Sequence, residues 1–334
     1  MVEFEIWKLY KSMLYSRFFE NAVKDLWEKG KISGEMHLGT GEEAIIACVV
    51  SHLEKGDAIA VDHRGTAAFI IRGVDPVLLL LEFLGHPKGL CAGQGGHMHL
   101  FSKEHLIASS GIVGASGPAA TGFALALKYK KQRNIAVAFF GEGAMNQGMM
   151  LESMNLASVW NLPVLFVCKD NNWAVTTITN EVTGGNLIDR AKGFGIEGYE
   201  VDGKDLEAVW KVANETISKI RNDDGPKFIH AHCVHTEGHF LGDPLLRYYR
   251  NPNLLTEVAD SLKEYAGKNL DEILLLLRKI GGQTKKKLDP IADVQKKLKN
   301  EQDRLRQIEQ EVTKEVEQSI NRALEIFEGG MKNG

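Results

Sequence analysis

Ile135-Ala136-Val137-Ala138-Phe139-Phe140-Gly141-Glu142-Gly143-Ala144 is an apolar run that breaks into a carboxylate set between two glycines. A short apolar stretch over 135–140, bounded by Gly141, suits a buried parallel strand. Met145-Asn146-Gln147-Gly148 then leads into a helix expected over 149–160, rich in Met, Leu and Ala. A second apolar run, 163–167, follows and ends in Lys169-Asp170-Asn171-Asn172-Trp173-Ala174. Strand, helix, strand in that order forms a crossover between parallel neighbours. Working outward, 58–61 and 228–233 repeat the strand pattern, and 119–130 supplies another crossover helix. The expected fold is therefore α/β, a doubly wound, mainly parallel sheet flanked by helices. Such sheets collect ligands at the carboxyl ends of their strands, so chemistry is expected in the loops after Val61, Phe140 and Val167.

The flanks have a different character. Phe4, Trp7, Leu14, Phe18, Val23 and Trp27 recur at helical spacing among charges over 4–29, an amphipathic first helix ended by Gly30. From about Asn251 the chain reads as helices, then a basic connector at 285–287, then one long helix opening at Asp289-Pro290. Ile291, Val294, Leu298, Leu305, Ile308, Val312, Val316, Ile320, Leu324 and Phe327 stripe that helix, a face made to pack on the protein's own core or on a partner subunit. The expected division is an α/β domain over 1–250 and a helical C-terminal extension over 251–334.

The bulk composition narrows the function. With 334 residues, 44% of them hydrophobic and 25% charged, and a net charge of −4, the chain has no basic surplus for gripping nucleic acid. Cys48, Cys91, Cys168 and Cys233 form no CxxC pair, which points to reduced thiols and a reducing compartment. The N-terminal residues lack an apolar signal core and no 18-residue apolar run follows, so a cytoplasmic protein without membrane spans is expected.

Glu142 is the first chemical candidate. Its flanking glycines let the backbone approach a ligand, N–H groups near the helix start favour phosphate, and the carboxylate could hold Mg²⁺ beside it; a plain tight turn is the other reading. Asn171 lies 29 residues on (171 − 142), at the end of the next strand, where adjacent loops would join amide and carboxylate oxygens around a hard cation. The bland alternative is an Asn-rich turn. His97 and His99, in Gly95-Gly96-His97-Met98-His99, have no Cys or carboxylate partner nearby and make a poor transition-metal site.

The paired turns resemble the thiamine diphosphate motif, a GDG-like turn followed by an NN-like turn. The likeness extends to Gly111-Ile112-Val113-Gly114-Ala115, the run 117–129, the run 139–148 and Gly238-His239-Phe240-Leu241-Gly242-Asp243-Pro244. In this order they resemble the alpha subunits of pyruvate, acetoin and branched-chain 2-oxoacid dehydrogenases, over roughly 10–250 and weakly again from Asp289. The resemblance implies a thiamine diphosphate-binding fold in which Glu142, the side chain of Asn171 and the carbonyl of Trp173 ligate Mg²⁺. A register shift of one would put Asn172 in place of Asn171. It further implies backbone donors for the diphosphate at Gly143 and Ala144, an Arg64 clamp with His63 beside it, and Gly111 and Val113 against the aminopyrimidine. His239 matches the family's active-site histidine, and His37 matches a histidine near the substrate; a helix-start role is the alternative for His37. The loop of His97 and His99 is expected near the mouth of the cofactor site.

By the same resemblance the chain is one half of an enzyme that cleaves a 2-oxoacid or acetoin and transfers the acyl unit to a lipoyl group of an acyltransferase core. A beta subunit would supply the carboxylate that activates the aminopyrimidine, in an assembly of two alpha and two beta chains. No second cofactor-domain pattern follows residue 250, which argues against a single-chain thiamine enzyme. Four departures stand out: Glu142 for the commoner Asp, Asp170-Asn171 for a double Asn, His235 for an Arg, and Thr66 for a His. A non-catalytic regulatory or assembly subunit of the same fold would carry the same motifs, and His235 and Thr66 leave that reading open. Phe240 stands where some relatives carry a phosphorylated serine, so no kinase control is expected there. The stretch 254–287 is longer than the family's link.

Overall fold

Period-two alternation sorts the central strands into two layers. Ile135, Val137 and Phe139 enter one buried cluster with Leu165 and Val167, while Ala136, Ala138 and Phe140 enter another with Val164, Phe166 and Cys168. A strand buried on both faces must be apolar throughout, which is why these runs stand out in the sequence. The computed structural model describes residues 3–174, 177–241 and 289–331; the expectations placed on Gly242-Asp243-Pro244, the helices from Asn251, the connector at 285–287 and the link at 254–287 lie outside the described residues.

The chain runs α1 (Ile6–Glu28), α2 (Glu43–Ser51), β1 (Ala58–Val61), α3 (Thr66–Arg72), α4 (Pro76–Phe83), β2 (Phe101–Ser102), β3 (Ile107–Ser109) and α5 (Ser116–Tyr129). Next come β4 (Ala136–Gly141), a 3₁₀ turn (Glu142–Asn146), α6 (Gly148–Val159), β5 (Val164–Asp170), β6 (Trp173–Ala174), β7 (Thr177–Ile178) and α7 (Thr179–Val182). Then follow α8 (Leu187–Gly193), β8 (Glu197–Asp202), α9 (Leu206–Arg221), β9 (Lys227–His232), α10 (Pro290–Lys297) and α11 (Gln302–Met331). Among the described residues the main sheet has the order β2-β3-β1-β4-β5-β9-β8, parallel throughout except for the β2–β3 pair, and β6 and β7 make a separate antiparallel ribbon. This is the doubly wound arrangement, with the chain turning back on itself at β1. Among the described residues no helix is long and apolar enough to cross a membrane.

The structure differs from the sequence reading in three places. β8 was not expected: it is an edge strand with Glu197, Glu200 and Asp202 exposed, so no apolar run marks it. β2 and β3 are two and three residues long, too short for any periodicity to register. The single long C-terminal helix is two helices. Asp289 caps α10 by accepting from Ile291 N–H (3.0 Å), the helix ends after Lys297, and α11 starts after a turn at 298–301.

The stripe on these two helices packs on the protein's own core. Leu305, Ile308, Val312 and Val316 are buried where α11 lies along α1 and α4. Arg17 on α1 ties the pieces together, with its guanidinium forked onto both oxygens of Asp289 (2.9 and 3.1 Å) and its Nε donating to Glu43 (2.5 Å).

Candidate active site

Four loops at the carboxyl ends of β1, β4, β5 and β9 enclose a cavity of about 170 Å³. β1 delivers Asp62, His63 and Arg64; β4 delivers Gly141 and Glu142, with Gly143 and Ala144 in the 3₁₀ turn; β5 delivers Lys169, Asn171 and Trp173; the loop after β9 delivers His235 and His239. Val113 completes the rim, 50% exposed.

Glu142 and Asn171 converge. Trp173 N–H donates to Glu142 Oε1 (2.9 Å) and to Asn171 Oδ1 (3.2 Å), so one donor holds both side-chain oxygens at one point. The Thr179 hydroxyl donates to the same Glu142 oxygen (3.2 Å). Burial, and then the charge of Asp170, push the Glu142 carboxyl up to about 7, the signature of a carboxylate placed where its charge is poorly compensated. A hard cation taken up by these oxygens would offset that cost. Asn172 is turned away: it is exposed, at φ +61, and faces a different cavity. Of the two register choices, the structure turns Asn171 towards Glu142.

Arg64 is buried, and among the described residues no carboxylate lies across its fork. Nη1 donates to the carbonyl of Leu38 (2.7 Å) and Nη2 to the carbonyl of His239 (2.6 Å). Burial lowers its pKa while leaving it a cation, and its charge adds to burial in disfavouring the charged form of three nearby imidazoles. His63, His37 and His239 are lowered to about 4, 2 and 3, in each case by burial first and Arg64 second. His37 meets the rings of His63 (4.6 Å between centroids) and His239 (5.4 Å) edge to face. It therefore stands behind the two wall histidines and is not itself in the wall. His97 stacks on its other side at 5.7 Å and accepts the His37 backbone N–H through Nε2 (3.3 Å). Gly111 also lies outside the lining, with its Cα against Met98 and His99, where a Cβ would sit 3.1 Å from the Met98 sulfur.

Four residues of the site were not singled out as working parts from the sequence. Lys169, fully buried, donates to Glu42 (2.6 Å) and Asp62 (3.1 Å). Burial opposes its charge, but the two carboxylates outweigh it and raise its pKa. Glu42 also accepts from His235 Nε2 (2.8 Å), and His235 Nδ1 takes the Asn171 amide N–H (2.7 Å). Accepting at Nδ1 places the His235 proton on Nε2, so Lys169, Glu42, His235 and Asn171 form one relay that fixes the amide's orientation. The departure at His235 is thus a buried link to the proposed metal ligand. A charge at the start of α2 or inside β5 reads as surface in a sequence; only burial shows otherwise. Thr66, another of the departures, is buried at the start of α3.

The loop carrying His235 and His239 is held down at Gly41. There φ is +105, and a Cβ would lie 1.8 Å from the carbonyl oxygen of Val234, so no other residue fits.

Comparison with known proteins adds a family to this geometry. The family model described as "Dehydrogenase E1 component" matches residues 10–268. The chain is 41% identical over 237 residues to the alpha subunit of acetoin:2,6-dichlorophenolindophenol oxidoreductase from Bacillus subtilis, covering 70% of this chain and 71% of that one. It is 42% identical over 237 residues to the subunit of the same name from Cupriavidus necator, with the same two shares. It is 36% identical over 239 residues to the pyruvate dehydrogenase E1 component subunit alpha of Rhizobium meliloti, covering 71% of this chain and 69% of that one.

Proposed function

The chain belongs to the dehydrogenase E1 component family, and from that premise we propose that it is the alpha subunit of a thiamine-diphosphate-dependent dehydrogenase acting on a 2-oxoacid or acetoin. The observation that carries this reading is the convergence of Glu142 Oε1 and Asn171 Oδ1 on one N–H, in a cavity that also holds Arg64. Carboxylate and amide oxygens are a hard donor set, suited to Mg²⁺, and a buried guanidinium is suited to an anion such as diphosphate. Residues and group fit.

In this reading Glu142, Asn171 and the carbonyl of Trp173 hold Mg²⁺. The N–H groups of Gly143 and Ala144, with Arg64 and His63, hold the diphosphate, and Val113 meets the aminopyrimidine, with Gly111 shaping the loop behind it. Bound thiamine diphosphate supplies the electron sink needed to break a bond next to a carbonyl. The chain's part is to orient, to exclude water and to manage protons. His239, kept neutral by burial and Arg64, can hydrogen-bond a substrate oxygen without adding to the positive charge already present, and His37, behind the wall, acts through its ring contacts with His63 and His239. A beta subunit completes the site. Residues 1–250 act as the cofactor-binding domain and 251–334 as the helical extension, in a cytoplasmic assembly of two alpha and two beta chains that passes its acyl unit to a lipoyl acyltransferase core.

Calorimetric titration of thiamine diphosphate with Mg²⁺ into the co-purified alpha–beta complex tests this. Binding is expected in the wild type and lost in Glu142→Ala; unchanged affinity in the variant would remove Glu142 from the metal and undo the assignment.

A further inference from the structure

The same sheet edge carries a second cluster that the proposed cofactor site does not use. Alternation along 170–172 points Asn171 into the first cavity, while Asp170 and Asn172 line another, of about 370 Å³, together with Glu200, His230 and His232. Three neighbouring strands supply the charged and imidazole groups at their carboxyl ends. In the ladder, Asp170 on β5 is level with His232 on β9, and His230 is level with Glu200 on β8. His230 and His232 are two apart on one strand and share a face.

The hydrogen bonds decide what these rings can do. His230 is buried, and its Nε2 lies 2.7 Å from Asp170 Oδ2. A carboxylate there draws the ring proton to Nε2 and leaves Nδ1 with a lone pair. That Nδ1 is buried and has no hydrogen-bond partner among the described residues. It faces Glu200 Oε1 at 3.9 Å, and His232 Nε2 lies 2.7 Å from the same oxygen.

We propose that His230 Nδ1, His232 Nε2 and Glu200 Oε1 bind a divalent transition-metal ion of the Zn²⁺ class, with Asp170 orienting His230 from behind. Two imidazoles and a carboxylate are borderline donors that suit Zn²⁺ better than Mg²⁺, and a carboxylate on the far nitrogen of a ligating histidine is the usual supporting contact. Ligand atoms about 2.1 Å from a tetrahedral ion stand roughly 3.4 Å apart. Both separations from Glu200 Oε1, 2.7 Å to His232 and 3.9 Å to His230, straddle that spacing. Glu200 and His232 side chains are 54% and 48% exposed, so both can adjust by the needed fraction of an ångström. The ion would be structural, pinning Asp170 and with it the loop that presents Asn171.

The test uses the full-length chain with its beta partner, in excess Mg²⁺ and thiamine diphosphate so that the other cavity is filled. Zn²⁺ is titrated calorimetrically, and Co²⁺ is followed by its visible absorption. One equivalent per chain is expected, with tetrahedral Co²⁺ bands. Affinity is expected to fall at least about tenfold in His232→Ala and in Glu200→Gln, whose exposed side chains leave the fold intact, and about 10- to 100-fold in Asp170→Asn. No uptake by the wild type would overturn the proposal. So would uptake that both exposed-residue variants leave unchanged, because the ion would then sit elsewhere, for instance at His37, His63 and His239, whose ligand atoms also cluster.

Discussion

Glu142 shows how burial writes a pH dependence into a single residue. Its carboxyl is raised to about 7 from an ordinary 4.5, so the folded chain holds a proton that the unfolded chain has released. That stabilising contribution is complete below about 4.5 and is lost as pH rises through about 7. Mg²⁺ must displace the same proton, so its affinity should climb about tenfold per pH unit up to about 7 and level off above. Calorimetry on both sides of neutrality measures this, and a flat profile would show that Glu142 is not the ligand. Lys169 raises a related question of charge. Lys169→Met leaves Glu42 and Asp62 buried without their cation, a change expected to cost about 3–5 kcal/mol in urea unfolding. At Gly41 the constraint is steric. Gly41→Ala sets a methyl against the Val234 carbonyl and strains a positive φ, so it should destabilise the protein and loosen the loop that carries His235 and His239. Hydrogen exchange of the amides at 234–239, faster in the variant, would register it.

At the scale of elements, α11 is held by its buried stripe and not by its exposed face. Val312 is fully buried against the core, so Val312→Ala should cost about 2 kcal/mol, while the exposed Gln307→Ala should stay within about 0.5 kcal/mol. Equal effects in urea unfolding would mean that α11 is not packed as described. The stripe was readable because its spacing continues across 298–301. The break there was not, because no glycine or proline announces it. The backbone simply changes partners, with Glu301 N–H turning to Leu298 and Leu305 N–H then opening the next helix on Glu301. β8 escaped for the opposite reason: an edge strand pairs on one side only and can afford charged side chains.

For the whole molecule, the cavity in this chain is open at its rim, where Val113 and its neighbour Ile112 are 50% and 60% exposed. Half a site predicts half an enzyme. Saturating cofactor should give no turnover with the alpha chain alone, and dye or lipoyl reduction should appear only when the beta partner is added. Turnover by the isolated chain would refute the shared site. What the sequence determined by itself was whatever one residue and its near neighbours suffice to specify. The apolar runs at β1, β4, β5 and β9, the Glu142 turn between glycines, the Asn171 turn at the next strand end and the final apolar stripe are all local, because a buried strand must be apolar and a close backbone approach needs glycine. What only the tertiary structure decided were relations between distant segments. His235 meets Asn171 across 64 residues and Glu42 across 193, and Lys169 meets Glu42 across 127. His37 reaches His63 and His239 only because three loops close over one strand end. A charged residue carries no mark in the sequence of being buried. That depends on which loops the sheet order brings together, and the sheet order is set by long-range packing.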